Sequence, residues 1–184
     1  MANSLHVTLF LLLSLLAAHK ALASSHNHGL HLRSLEFSLF QHETTNKTGF
    51  VIVEGVTGPG ITRTTTPFGT IFVYLNNLTT TISASSRLVG IAEGVSITSS
   101  FDGFRSISVA HITLEIHGYR GTVSVVGVVH NTKPAVLPVV GGTGDFLFVQ
   151  GYVKSTLVDL EALNVMYKID FHLYWPPYAT NSPN

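Results

Sequence analysis

Apolar and polar side chains alternate residue by residue along most of the chain after position 32, which constrains the fold more than any other feature. An alternation with period two places the two sets on opposite faces of a β-strand. In segment 106–116, Ala110, Ile112 and Leu114 alternate with polar residues. We predict that the apolar sets face the interior, and that Trp175 faces a cavity there. The apolar set of the last strand comprises Val165, Tyr167, Ile169, Phe171, Leu173 and Trp175.

Eight segments combine this alternation with many Thr, Val, Ile and Phe residues, which favour pleated strands. They cover residues 35–40, 50–56, 71–76, 88–98, 106–116, 122–129, 146–154 and 164–175. Gly- and Pro-containing turns separate them, and no segment shows helical periodicity. We predict an all-β fold, an eight-stranded antiparallel up-and-down β-barrel whose interior holds side chains or one small ligand. A β-sandwich would alternate similarly and stays open as the alternative.

The N-terminal residues are typical of a secretory signal peptide. Residues 7–18 form an apolar run that is short for a membrane span, and a small-x-small cleavage site, Ala21-Leu22-Ala23, follows. An uncleaved membrane anchor is the alternative, because no Lys or Arg precedes the run. We predict a signal peptide at 1–23, a flexible leader at 24–31, a barrel domain at 32–176 and a tail at 177–184. The protein would then be secreted, with no membrane attachment after cleavage.

Because a secreted protein can be N-glycosylated, two sequons in the chain are relevant: Asn46-Lys47-Thr48 and Asn77-Leu78-Thr79. Each lies beside turn-like sequence, where a glycosyl transferase could reach it. We therefore predict Asn46 and Asn77 as glycan acceptors.

Charge and cysteine content argue against several function classes. Ten Lys and Arg residues balance ten Asp and Glu residues, and only 11% of the chain is charged. No segment of the sequence is basic enough to bind along a phosphate backbone, so nucleic acid is not expected as a partner. The chain has no cysteine, which leaves neither disulfides nor thiolate metal sites. His26, His28 and His31 are interpreted as part of a solvated leader, so we expect no metal site there.

Motifs for nucleotide, metalloprotease and hydrolase chemistry are absent from the sequence. The run Gly141-Gly142-Thr143-Gly144 lacks the Lys-Ser/Thr of a phosphate loop, and we predict a tight turn between strands there. His111 and His172 fall on polar strand faces, and His130 lies at a strand end. Six carboxylates show no pairing for acid–base chemistry: Glu36, Glu54, Glu93, Asp102, Glu115 and Asp145.

Five blocks in order resemble the dirigent family. The segment 138–146, Pro-Val-Val-Gly-Gly-Thr-Gly-Asp-Phe, followed by Gln150-Gly151-Tyr152, resembles the family signature. The other blocks are residues 37–41 (FSLFQ), 68–73 (FGTIFV), 89–94 (VGIAEG) and 119–124 (YRGTVS). The resemblance extends from Leu32 to about Trp175 and lies behind a predicted signal peptide.

This resemblance implies an eight-stranded barrel with a central pocket, usually assembled as a homotrimer, with a dimer as the alternative. It implies a location in the apoplast or cell wall. Such proteins hold phenoxy radicals of coniferyl alcohol-type monolignols, made by an external laccase or peroxidase. They steer coupling to one lignan enantiomer without an oxidising centre, so the resemblance implies no metal and no cofactor. Some relatives instead close a ring through a quinone methide. A non-catalytic phenolic-binding protein, or a scaffold for lignin deposition, is the alternative function.

The polar pocket residues of the family do not carry over well. The acid of the family's first-strand His-Asp pair aligns with Gln41, and a pocket tyrosine aligns with Ser96. An acid after the sixth strand aligns with Val129, and an arginine before the glycine-rich segment aligns near Ala135. These replacements put acid-assisted cyclisation in doubt, because none can transfer a proton near neutral pH. The pocket candidates are Gln41, Ser96, Thr98, Val129, Ala135 and Tyr167.

Overall fold

The computed structural model describes residues 33–177 and residue 179. Its strands are β1 (Arg33–Thr44), β2 (Gly49–Val53), β3 (Ile71–Thr79), β4 (Leu88–Thr98), β5 (Arg105–Ile116), β6 (Tyr119–His130), β7 (Ala135–Gly144), β8 (Gln150–Glu161) and β9 (Asn164–Trp175). All the pairings between these strands are antiparallel. In the described part of the chain, no helix has the length and apolar character needed to cross a membrane. The predicted signal peptide, the leader and most of the predicted tail lie outside the described residues.

Eight of these strands close a ring in the order β1-β9-β8-β7-β6-β5-β4-β3, and β3 returns to β1. The β1–β3 seam has three residue pairs, Phe40–Thr79, Gln41–Leu78 and His42–Asn77. Further along the same edge of β3, β2 takes the place of β1. The predicted eight-stranded barrel is therefore confirmed, with β1 and β2 sharing one position in the ring.

The prediction of a turn at residues 141–144 is wrong, because these residues end β7, a strand that the sequence analysis missed. The turn follows at residues 145–149, and β8 begins at Gln150 rather than at the predicted residue 146. Two of the glycines here, Gly142 and Gly144, allow close backbone approach. A Cβ on Gly142 would lie 2.5 Å from the carbonyl oxygen of Phe146 and 2.6 Å from that of Thr122. Pro138 and three glycines hid the strand, since neither residue type favours one.

One end of the barrel, here called the closed end, is filled by aromatic side chains. Trp175 is 2% exposed, and its ring lies 5.7 Å from that of Tyr119 and 6.2 Å from that of Phe146. The guanidinium of Arg33 lies over the Trp175 ring at 4.1 Å, which is cation–π geometry. The expectation that Trp175 faces a cavity is therefore not met, although its strand phase does put it inside.

Candidate functional site

The opposite end, the open end, contains a cavity of about 240 Å³. Its deep wall is apolar, and its outer part is lined by hydroxyl, amide and charged side chains. The deep wall consists of Leu78, Ala92, Ala110, Ile112, Val125, Leu137, Val153 and Ile169. An apolar chamber with few polar groups is the usual form of a small-molecule site.

The six residues proposed from the sequence as pocket candidates all line this cavity. The Ser96 hydroxyl donates to Ser108 at 3.0 Å, and the Thr98 hydroxyl lies 2.5 Å from that of Thr66. The other candidates, Gln41, Val129, Ala135 and Tyr167, lie on four further strands. Their role in binding stays a prediction.

An acid that the sequence analysis missed, Glu43, also lines the cavity. It follows Gln41 by two residues on β1, so both side chains point to the same face of the strand. Burial raises the pKa of Glu43, and a hydrogen bond from Asn76 opposes that rise. Aligning the family's first-strand His-Asp pair two residues later in this chain would have identified Glu43, since the sequence there is His42-Glu43.

A chain of hydrogen bonds fixes the orientation of the Glu43 carboxyl. The side-chain amide of Asn76, which is fully buried, donates to Glu43 Oε2 at 3.1 Å. The Thr48 hydroxyl donates to Asn76 Oδ1 at 2.7 Å. The backbone N–H of Thr44 donates to Thr48 Oγ1 at 2.9 Å. Because both ends of the Asn76 amide have partners, its nitrogen is held towards the carboxyl.

Two buried tyrosines complete the polar side of the wall. Burial raises the pKa of Tyr74 and lifts that of Tyr167 far above its usual range, and the charge of Glu43 adds to both shifts. The Tyr74 hydroxyl lies 3.4 Å from Ser108 Oγ, a long contact. Both phenols therefore remain protonated, so each can donate a hydrogen bond to a ligand oxygen.

A long loop at residues 54–70, the cover loop, lies over part of the mouth. It contributes Ile61, Thr62 and Arg63 to the cavity lining. The side chain of Asn131 donates to the carbonyl oxygen of Thr64 at 2.8 Å, which ties the loop to the turn between β6 and β7. The mouth is thus a defined opening between the cover loop and the strand ends.

The structure places the remaining sequence candidates away from the cavity, apart from His130, which lines the mouth. His111 is exposed, and His172 stacks on Tyr152 outside the barrel at 4.6 Å. Among the described residues, no group of three metal-ligating side chains is found. His26, His28 and His31 lie outside the described residues.

The two predicted glycosylation sites differ in their surroundings. Asn46 is exposed in the tight turn between β1 and β2, with a φ of 63°. Asn77 is exposed but lies within β3, paired with His42 and Ile91 rather than in a turn. Glycosylation of either residue stays a prediction.

Comparison with known proteins identifies the family. The family model described as Dirigent-like protein matches residues 34–174, which includes all nine strands except the terminal residues of β1 and β9. The chain belongs to the dirigent family.

Individual dirigent proteins are more distant. Dirigent protein 7 of Arabidopsis thaliana is 33% identical over 92 residues, and the match covers 48% of each chain, so this chain spans about half the length of that relative. Pterocarpan synthase 1 of Glycine max is 26% identical, over 66% of this chain and 73% of its own length. The solved structure of the pterocarpan synthase dirigent protein GePTS1 has a TM-score of 0.69 at 20% identity, covering 78% of this chain and 91% of that one. This likeness supports the barrel fold.

Proposed function

We propose that this dirigent protein holds phenoxy radicals of coniferyl alcohol-type monolignols in its barrel and directs their coupling to one stereoisomer. The observation that carries the proposal is the Glu43 carboxyl held by Asn76 in a cavity whose deep wall is apolar. Apolar walls orient aromatic rings and keep random partners away, which converts an encounter in solution into an ordered one. A free-energy bias of about 2 kcal/mol between two faces gives roughly thirtyfold selectivity.

The chemistry needs no redox group in this chain if a laccase or peroxidase outside it removes the electrons. Two phenoxy radicals each contribute one electron to a new carbon–carbon bond, which leaves quinone methides. Ring closure follows when a side-chain hydroxyl adds to the quinone methide carbon. That hydroxyl loses a proton, and the carbonyl oxygen gains one.

Glu43 suits this second step because its raised pKa keeps a larger fraction protonated than an exposed glutamate has at the same pH. The acid gives its proton to the carbonyl oxygen and takes the proton of the hydroxyl, so it ends in its starting state. The Tyr74 and Tyr167 hydroxyls would donate hydrogen bonds to oxygens of the bound phenol.

A second candidate is ring closure of a single bound quinone methide, the kind of reaction that the name pterocarpan synthase indicates for two relatives. The cavity volume favours it. At about 240 Å³ it lies just below the usual range of ligand pockets, about 300–1,000 Å³, which suits one ring system inside the barrel. Coupling of two monolignols would require the second ring to sit at the mouth.

Our proposal includes secretion to the apoplast or cell wall and assembly of a homo-oligomer, a trimer or a dimer. The outer face of the sheet at the open end supports assembly, because it carries two cross-strand rows of apolar residues, here called the outer apolar patch. Val73, Val95, Val109 and Val126 form one row; Ile71, Ile97, Ile107 and Val128 form the other. Rows of this kind are typical of surfaces that bind another protein.

The proposed function is tested by chiral chromatography of the products from coniferyl alcohol, a laccase and the purified protein. We expect a protein-dependent enantiomeric excess with an unchanged rate of oxidation. Glu43→Gln keeps the shape but cannot transfer a proton, so directed ring closure should slow by about a hundredfold. Glu93→Gln is the matched control, since Glu93 is exposed on the outer face of β4.

The outcomes separate the candidates. Racemic products at saturating protein exclude monolignol coupling, and the assay is then repeated with a quinone methide precursor of an isoflavonoid type. If both substrates bind and neither reaction is directed, the non-catalytic alternative, phenolic binding or lignin scaffolding, replaces the proposal.

A further inference from the structure

The charged side chains on the cavity wall are divided between two sides of the barrel. Glu43 is on β1, while Arg63, His130 and Lys133 line the mouth elsewhere. We propose that this mouth binds the carboxylate of a phenolic acid, so that the preferred ligand class is a hydroxycinnamate rather than a neutral hydroxycinnamyl alcohol. The inference deepens the proposed function and rests on it.

The basic side chains line one mouth because the cover loop is tied to the turn between β6 and β7. His130 ends β6 and Lys133 lies in that turn, where their backbones form a bridge. Between them, Asn131 donates to the carbonyl oxygen of Thr64, the neighbour of Arg63. Two basic residues distant in sequence thus line the same cavity mouth.

The acid lies on the other side of the ring. In the closed order of eight strands, three strands separate β1 from β6 in either direction, which is the largest separation that the ring allows. A ligand anion near Lys133 is attracted, and one near Glu43 is repelled whenever the Glu43 carboxyl is ionised. The field across the cavity therefore selects one orientation, with the carboxylate at the turn between β6 and β7.

These cations are also available. Within the described residues, neither Arg63 nor Lys133 forms an ion pair, whereas Arg120 is paired with Glu115 and Lys168 with Asp170. Asp102, an exposed acid within electrostatic reach of His130, does not line the cavity, and its carboxylate accepts hydrogen bonds from the Ser100 hydroxyl at 2.6 Å and the Phe104 backbone N–H at 3.1 Å. A ligand carboxylate would therefore meet a local excess of positive charge.

The experiment compares three probes by isothermal titration calorimetry: ferulate, its neutral methyl ester and coniferyl alcohol. We expect the purified protein to bind ferulate about tenfold more tightly than either neutral probe at low ionic strength, and this preference to shrink as salt is added. The double variant R63Q/K133Q should lose the preference and keep its affinity for the neutral probes. The control variant R87Q/R120Q removes two exposed cations at the closed end and should behave as the unchanged protein does.

Each outcome decides the matter. Equal affinities for all three probes, unchanged in R63Q/K133Q, overturn the anionic subsite and leave the proposed function standing. A preference that R87Q/R120Q reduces as much as R63Q/K133Q does overturns it too, because net charge then explains the result. Failure of all three probes to bind overturns the proposed function and this inference together.

Discussion

The two halves of β5 distribute their side chains in opposite ways. Towards the closed end, Ile112, Leu114 and Ile116 are buried inside the barrel, and polar residues face outwards. Towards the open end, Ser106 and Ser108 are buried inside, while Ile107 and Val109 are 48% and 44% exposed. The alternation is regular throughout, so only the chemistry of the two faces changes along the strand.

This difference indicates that the closed end mainly stabilises the fold, whereas the open end provides the polar groups of the cavity. The closed end gains stability from apolar burial, at about 25 cal/mol per Å² removed from water. The open end places polar groups inside at little cost, because no buried side-chain nitrogen or oxygen of the described residues lacks a hydrogen-bond partner. Its apolar residues are outside, where a partner could cover them.

The largest expected effect breaks the closed end. Phe171 is fully buried and stacks on Phe37 with ring centroids 4.6 Å apart. Phe171→Ala should lower the free energy of unfolding by about 3–5 kcal/mol through lost burial and a cavity. Ser108→Ala, at the open end, should cost about 1 kcal/mol. Urea denaturation measures both, Phe171→Leu provides a milder variant if the first does not fold, and equal losses at the two ends would refute the division of tasks.

A second, smaller effect concerns the outer apolar patch. Ile107→Glu places a charge in it, and we expect association to weaken by about 2 kcal/mol, roughly thirtyfold in the dissociation constant. Thr113→Glu adds the same charge on the same face of β5 nearer the closed end and should leave association unchanged. Light scattering coupled to size-exclusion chromatography gives the mass of each variant. A monomeric unchanged protein would remove the oligomer from the proposal.

The smallest effect is a pH dependence from the open end. The pKa of Glu43 is raised in the folded state, so the folded protein binds more protons than the unfolded chain above the ordinary pKa of 4.5. The stability that Glu43 contributes is therefore full below that pH and falls as pH rises through the raised pKa. His42, whose pKa burial lowers, acts in the opposite direction in a higher range.

The contribution of Glu43 to the pH dependence of stability is isolated by comparing the unchanged protein with the Glu43→Gln variant. The free energy of unfolding of the unchanged protein minus that of Glu43→Gln cancels His42 and should decrease with pH above 4.5. A flat difference from pH 4 to 8, roughly the range where most proteins are stable, would place the Glu43 carboxyl in water rather than in the cavity.

The sequence predicted the barrel because its alternation is a local property that burial in the structure reproduces, as in β5 and β9. It did not predict β7, because Pro138 and the glycines do not favour a strand by themselves, and the close approach of β6 that Gly142 and Gly144 allow is not visible in the local sequence. The cavity itself depends on side-chain volumes summed around eight strands. No single segment shows that the interior is filled by Trp175 at one end and open at the other.

The candidate site divides in the same way. Residues such as Gln41, Ser96 and Tyr167 could be placed at the cavity wall from strand phase and family resemblance. Glu43 was missed because the acid of the family's first strand was aligned with Gln41, which lies two residues earlier on the same face of β1. The presence of Arg63 and Lys133 at one cavity mouth has no sequence signal, because it depends on how a loop packs against a distant turn, including the hydrogen bond from Asn131 to Thr64.

The three-pair seam between β1 and β3 has a kinetic consequence. It is the shortest junction in the ring, since the next shortest, that of β7 with β8, has four residue pairs. Two side-chain hydrogen bonds reinforce it, from Asn76 to Glu43 and between His42 and Thr79 at 2.7 Å. Amide exchange should therefore begin among the seam residues, in brief separations far cheaper than global unfolding. Each such opening releases the Glu43 carboxyl from Asn76 and separates the cavity wall between β1 and β3. The same motion therefore sets both the rate of ligand exchange and the orientation of the acid.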